Sequence, residues 1–199
     1  MIEEKHIKEI ESLLNKGKII QFELLQISFD IACIKIKLED NNKFIVKYHD
    51  KSQEGFNAIE SEAKNLQYLN KIFNFFPKLI NSNKNCLIIE FFENDGNKPT
   101  NTNLDFLESI IKIHNISNNL YGFEFNTQMG ALEQSNEFEN SWTNFYSNKR
   151  LSPILELANN RENLGDFINE KINYILKNIK NFIPENPIPQ LLHGDLWEG

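Results

Sequence analysis

Residues 191–199 read LLHGDLWEG: an apolar pair, the turn His193-Gly194-Asp195, then Leu196 and Trp197. A short apolar run that meets a glycine reads as a strand entering a tight turn, and the turn holds the Asp195 carboxylate outward. That suits a general base, which has to come within about 3 Å of the proton it takes. For an isolated triplet of this kind, an acid with no chemical task in a surface turn is the commoner case. Trp197 shifts the balance, because a large aromatic beside the turn packs it rigidly.

Upstream, the periodicity divides the chain. Ile7, Ile10, Leu13 and Leu14 fall at helical spacing, and Gly17 follows as a stop. Ile34, Ile36 and Leu38 alternate with Lys35, Lys37 and Glu39, which predicts a half-buried strand; "EDNN" is a turn and "FIVKYH" (44–49) the returning strand. Helical spacing returns over about 53–73 until Phe76-Pro77 breaks it, and 78–80 and 86–92 read as short strands. The segment 93–103, "ENDGNKPTNTN", has no apolar residue and is the best linker candidate. Beyond it the pattern is mostly helical, over about 104–117, 137–149 and 161–182, and "QLLH" leads into the closing turn. The predicted class is α+β, with an antiparallel-sheet lobe carrying one long helix over residues 1–93 and a helical lobe over 94–199.

Three positions before the linker could carry chemistry. Lys47 lies mid-strand between apolar neighbours and so can face a cleft; a solvated strand lysine is the bland alternative. Glu62 lies on the following helix beside Ala63, Leu66 and Leu69, from where it can pair with Lys47 and hold the ammonium against nucleotide phosphates; a solvated helix glutamate is the alternative. Glu90, Phe91 and Phe92 end the strand before the linker, where backbone groups are free to bond an adenine edge; a plain strand end would look the same. Each signal is weak alone. Their order is that of the protein-kinase-like phosphotransferases: strand lysine, helix glutamate, crossover, helices, then an acid after a short strand.

The net charge of -7 argues against a broad nucleic-acid surface, which needs clustered Lys and Arg. No apolar run approaches the roughly 20 residues of a membrane span, and no cationic leader precedes an apolar segment. Cys33 and Cys86 have neither metal-ligand nor CxxC spacing. The expectation is a reduced, cytoplasmic, soluble protein with no nucleic-acid or membrane partner.

The ending resembles the HGDLWxGN motif of the fructosamine (ketosamine-3) kinases, relatives of aminoglycoside and choline kinases. The stretch 121–151, "YGFEFNTQMGALEQSNEFENSWTNFYSNKRL", is similar to that family's middle block, and "FIVKYH" and "AIESEAKNLQYL" to its strand-lysine and helix-glutamate blocks. The resemblance implies an ATP- and magnesium-dependent kinase that phosphorylates a sugar hydroxyl of a glycated amine, lysine or protein, which repairs the amine. It implies that Lys47 contacts the α- and β-phosphates, Glu62 positions Lys47, Glu90 to Phe92 form the adenine hinge, and Asp195 accepts the hydroxyl proton. Asn126, Gln134, Asn136 and Trp142 would shape the sugar pocket.

Two departures accompany it. Ser28 and Phe29 stand where the family's phosphate loop carries a Gly-Gly pair, and bulky residues keep a backbone from closing tightly over phosphate. The motif's asparagine and a later acid, the magnesium ligands, would lie beyond Gly199, so the chain reads as a kinase interrupted at its catalytic loop. A kinase of another small alcohol and a non-catalytic nucleotide- or partner-binding remnant are the competing readings.

Overall fold

The computed structural model describes residues 3–49, 55–93, 100, 104–130 and 132–194. The chain forms two compact units, Met1–Gly96 with Thr127–Glu133, and Asn97–Asn126 with Gln134–Gly199.

The first unit is a five-stranded antiparallel sheet with a helix on each face. Helix α1 (Glu4–Leu14) starts at Glu3, whose amide donates to Nδ1 of His6 at 3.1 Å while its carboxylate accepts from the helix backbone. It ends at Asn15, which takes the left-handed conformation at φ 49°. The stop therefore comes two residues before the expected Gly17, because asparagine also tolerates that conformation. The strands are β1 (Ile19–Ser28), β2 (Ile31–Leu38), β3 (Lys43–Tyr48), β4 (Leu79–Ser82) and β5 (Cys86–Glu90), in the spatial order β1-β2-β3-β5-β4. Helix α2 (Ala58–Ile72) lies between β3 and β4 in sequence.

Alternation along β2, β3 and β5 sends side chains into two layers. Ile34, Ile36, Leu38, Phe44, Val46, Tyr48, Cys86 and Ile88 pack with Ile10 and Leu14 of α1. Leu87 and Ile89 pack with Ile59, Ala63 and Leu66 of α2, and Ile31, Ile45 and Leu79 join them. Each fully buried Ile, Leu or Val among them contributes about 1.5–3 kcal/mol by leaving water. Asn57 caps α2, accepting from the Ile59 and Glu60 amides at 3.0 and 3.1 Å, and its own amide donates to the Lys84 carbonyl at 2.8 Å. The helix begins there, later than its expected start.

In the second unit, α3 (Leu104–His114) is followed by α4 (Trp142–Tyr146), a π-helical turn (Ser147–Leu151), α5 (Ser152–Arg161), α6 (Gly165–Lys177) and a 3₁₀ turn (Ile179–Asn181). The helix expected over 137–149 thus starts at the Ser141 cap and runs on to Arg161. Pro153 does not stop it. Proline lacks the amide that would bond the carbonyl four residues back; here that carbonyl, of Lys149, accepts from the Arg150 guanidinium at 2.9 Å. The helix expected over 161–182 is α6 and the 3₁₀ turn; Arg161 belongs to the helix before it, and Gly165 opens α6 at φ 76°.

A two-stranded hairpin was not foreseen. Strands β6 (Thr127–Met129) and β7 (Leu132–Gln134) pair with each other, and β6 packs on α2 in the first unit.

Candidate active site

Lys47 projects from the α2 side of β3, the face of Ile45, with Cys33 of β2 and Leu87 of β5 as its cross-strand neighbours. Glu62 follows Ile59 by three residues on α2, next to the apolar stripe that seats the helix. The ammonium reaches both carboxylate oxygens, at 2.6 and 2.8 Å, and the side chains keep 30 % and 27 % of their surface exposed. Anchoring is covalent to the sheet on one side and through packed Ile59, Ala63 and Leu66 on the other. The ammonium is thus held in one place while part of its surface faces solvent, the state a phosphate-binding lysine requires.

The thiol of Cys33, opposite Lys47, is held protonated: burial pushes it above its ordinary value, the Lys47 charge pulls it partly back, and Glu62 pushes it up again. Nucleophilic thiolate chemistry is therefore disfavoured beside the lysine.

Strands β1 and β2 are joined by a two-residue turn, Phe29 at φ 50° and Asp30 at φ 61°, with Ser28 and Ile31 as the last cross-strand pair. Such a turn needs positive φ at both central positions and ordinarily uses Asn-Gly. The left-handed pair is one residue further along than the Ser28-Phe29 pair aligned with the glycines.

At the other end of the sheet, the Glu90 amide donates to the Lys78 carbonyl at 3.0 Å, which spends that amide within the β4–β5 ladder. Phe91 and Phe92 lie past the ladder. The Phe91 ring lies 4.7 Å from the Lys35 ammonium and 5.4 Å from that of Lys43, and Lys43 is paired with Glu93, whose carboxyl it holds below the usual range. Phe92 is exposed.

The residues assigned to the sugar pocket are built into the second unit. Asn136 is only 4 % exposed. Its backbone amide donates to Asn126 Oδ1 at 3.0 Å, its side-chain amide nitrogen donates to the Phe125 carbonyl at 3.0 Å, and its side-chain oxygen accepts from the Arg150 guanidinium at 2.5 Å. Arg150 also donates to the Ser135 carbonyl at 2.7 Å and lies over the Phe145 ring at 4.6 Å. Trp142 stacks on Phe145 at 5.8 Å and leans on Tyr121 and Tyr146 at 5.5 and 5.4 Å. Arg150, the centre of this network, was not singled out from the sequence; its place beside Leu151 at the end of the stretch 121–151 was the available signal. Gln134 ends β7.

Asp195 lies outside the described residues. The approach to it is described: the Leu191 amide donates to the Ile116 carbonyl at 2.8 Å, the Asn118 amide donates to the Pro189 carbonyl at 3.0 Å, and Gln190 bridges Ser117. The run before the acid is therefore fastened to the segment after α3. Among the described residues no three His, Cys, Asp or Glu side chains cluster closely enough to hold a metal.

A family model described as fructosamine kinase matches residues 7–199, so the chain belongs to the fructosamine kinase family. Curated relatives include a "probable ketoamine kinase" of Vibrio vulnificus, 26 % identical over 81 % of this chain and 56 % of its own length. Another of the same description, from Enterococcus faecium, is 26 % identical over 83 % of this chain and 58 % of its own. The protein-ribulosamine 3-kinase of Arabidopsis thaliana chloroplasts is 32 % identical over 57 % of this chain and 35 % of its own. The chain thus spans less than three-fifths of these relatives. The crystal structure of a candidate fructosamine-3-kinase from Thermobifida fusca superposes with a TM-score of 0.82 at 20 % identity, covering 96 % of this chain and 66 % of the other. One from Haemophilus somnus gives 0.73 at 23 %, covering 96 % and 65 %. The fold is theirs: a kinase-like antiparallel sheet with one long helix, followed by a mostly helical half.

Proposed function

We propose that the chain is the nucleotide-binding portion and the acceptor-side approach of an ATP-dependent kinase whose acceptor is a hydroxyl of a ketosamine, working in the cytoplasm to reverse glycation of amines. The observation that carries this reading is the two-bonded Lys47–Glu62 pair on the α2 face of the sheet, in a chain of the fructosamine kinase family.

In this reading Lys47 lends its charge to the α- and β-phosphates while Glu62 keeps it aimed. The segment 90–92 borders the adenine. Asp195 takes the proton of the sugar hydroxyl as its oxygen bonds to the γ-phosphorus and the bond from that phosphorus to the β–γ bridging oxygen breaks, releasing ADP. Magnesium, when bound, neutralises charge on the phosphates. Asn126, Asn136 and Trp142 support the acceptor side by fixing the segment 121–151, since the polar atoms of the two asparagines are engaged within it.

A second reading, nucleotide or partner binding without turnover, is favoured by the Phe29-Asp30 turn, which lacks the glycines of a freely closing phosphate loop. The two are separated by titrating ATP into the chain by calorimetry and then following phosphate transfer from ATP to a fructosamine with magnesium. Binding with transfer supports the kinase, binding without transfer supports the second reading, and no binding removes the kinase and the nucleotide half of the second.

A further inference from the structure

An aromatic residue in the left-handed region is strained, and it persists only where the surroundings hold it. Phe29 is in that region at φ 50°, followed by Asp30 at φ 61°. The core does not hold it, for the side chain is 65 % exposed. What it meets is Gly130, at the turn between β6 and β7 and itself at φ 59°. A Cβ on Gly130 would lie 3.1 Å from Phe29 Cζ and 3.2 Å from Cε2. The ring therefore lies so close to Gly130 that a side chain there would push it aside by a few tenths of an ångström.

The hairpin has a second anchor. Its strand β6 packs on α2, the helix that carries Glu62. The turn that Phe29 belongs to ends three residues before Cys33 of β2, the cross-strand neighbour of Lys47. One hairpin thus touches both elements that flank Lys47, the β1–β2 turn and α2.

We propose that the Phe29 ring and Gly130 form a clasp that sets the position of the β1–β2 turn relative to α2 and Lys47, and that the clasp raises affinity for the phosphates of a nucleotide. This rests on the nucleotide-binding reading above. A loose turn has to be ordered when phosphate binds, and that ordering weakens binding; a turn already docked has less freedom to lose. Glycine-rich loops close by bending. Here the turn is held by a ring seated on a second segment. Phe29 and Gly130 are positioning residues and touch no reacting atom.

The test uses the 199-residue chain and measures affinities for ATP and for adenosine. Asparagine tolerates positive φ, so Gly130→Asn adds a side chain against the ring with little backbone strain. Gly130→Asn is expected to weaken ATP roughly tenfold and to leave adenosine within about twofold, since losing preorganisation affects only the groups the turn covers. Phe29→Tyr, which keeps the ring, is expected to bind ATP like the parent. In a Phe29→Gly background, Gly130→Asn is expected to have no further effect, because contacting residues are non-additive. Hydrogen exchange at the amides of 29–31 is expected to quicken in Gly130→Asn. A parent that binds both ATP and adenosine but is indifferent to Gly130→Asn overturns this inference alone. So does an equal loss for adenosine and ATP, or a Gly130→Asn effect that persists undiminished without the Phe29 ring. A parent that binds neither ATP nor adenosine overturns the kinase reading and the clasp's role with it.

Discussion

Gly122 stands against the Asn136 carbonyl so closely that a Cβ on it would be 2.6 Å from that oxygen and 3.0 Å from Phe138. The same oxygen accepts from the Phe123 amide at 2.9 Å, so it cannot retreat without breaking a bond. Gly122 is also at φ 137°. Gly122→Ala combines backbone strain with overpacking and should lower the stability of the second unit by about 3 kcal/mol. Urea unfolding followed by Trp142 fluorescence measures it; a loss below 1 kcal/mol, on the same scale, would mean that the segment shifts freely.

Lys47→Met and Glu62→Gln should both weaken ATP binding, the first more than the second. In the proposed nucleotide site Lys47 would supply the charge and Glu62 its aim; hydrogen bonds to charged groups are worth about 1.5–3 kcal/mol, so a loss of roughly tenfold or more is expected for Lys47→Met. Thermal stability should move little, since partly exposed ion pairs contribute about 0–1 kcal/mol. Unchanged ATP affinity in Lys47→Met would remove the pair from the nucleotide site.

Asp195→Asn keeps the shape of the side chain and removes its basicity. In a preparation that phosphorylates a ketosamine, turnover should fall by about 10²–10⁴-fold with ATP affinity unaltered. Equal turnover at saturating ATP would exclude Asp195 as the base.

Cys86 lies in the α1-side core, where burial, reinforced by the charge of Glu9, pushes its thiol from the ordinary 9.0 to about 12. The unfolded chain gives up this proton near 9 and the folded chain does not. The contribution is therefore fully present below pH 9 and lost as pH rises toward about 12. Cys86→Ala should be less stable than the parent at pH 7, through its cavity, and should lose less stability between pH 8 and pH 10. Parallel losses across that range would show that the thiol does not contribute. Iodoacetamide at pH 8 should also label Cys86 only as fast as the chain opens.

The sheet unit was legible because its signals are local and repeated. Ile34, Ile36 and Leu38 fill one layer as their alternation predicts, and Lys47 shares the opposite face with Ile45. Glu62 was readable from its place beside Ile59 and Ala63 on one helical face. The hairpin was not readable, since three residues per strand leave too little alternation, and β6 is held by packing on α2. The continuation through Pro153 was hidden for another reason: the groups that accommodate it, the π-helical turn and the Arg150 bond to the Lys149 carbonyl, are visible only in three dimensions. Asn136 resembled a ligand-binding landmark, and its partners lie at Phe125, Asn126 and Arg150, up to fourteen residues away.

The placing of β5 between β3 and β4 bears on how the chain assembles during synthesis. Strands β1, β2 and β3 are hairpin neighbours and can pair as soon as they emerge. The ladder on the far side of β3, Lys47 opposite Leu87, closes about forty residues later, after α2 has been made. Until then a nascent chain presents β3 with one unpaired edge, a template for wrong partners. The strand that carries Lys47 thus stays open along one edge while the ribosome is still at work, and is exposed to mispairing for that interval.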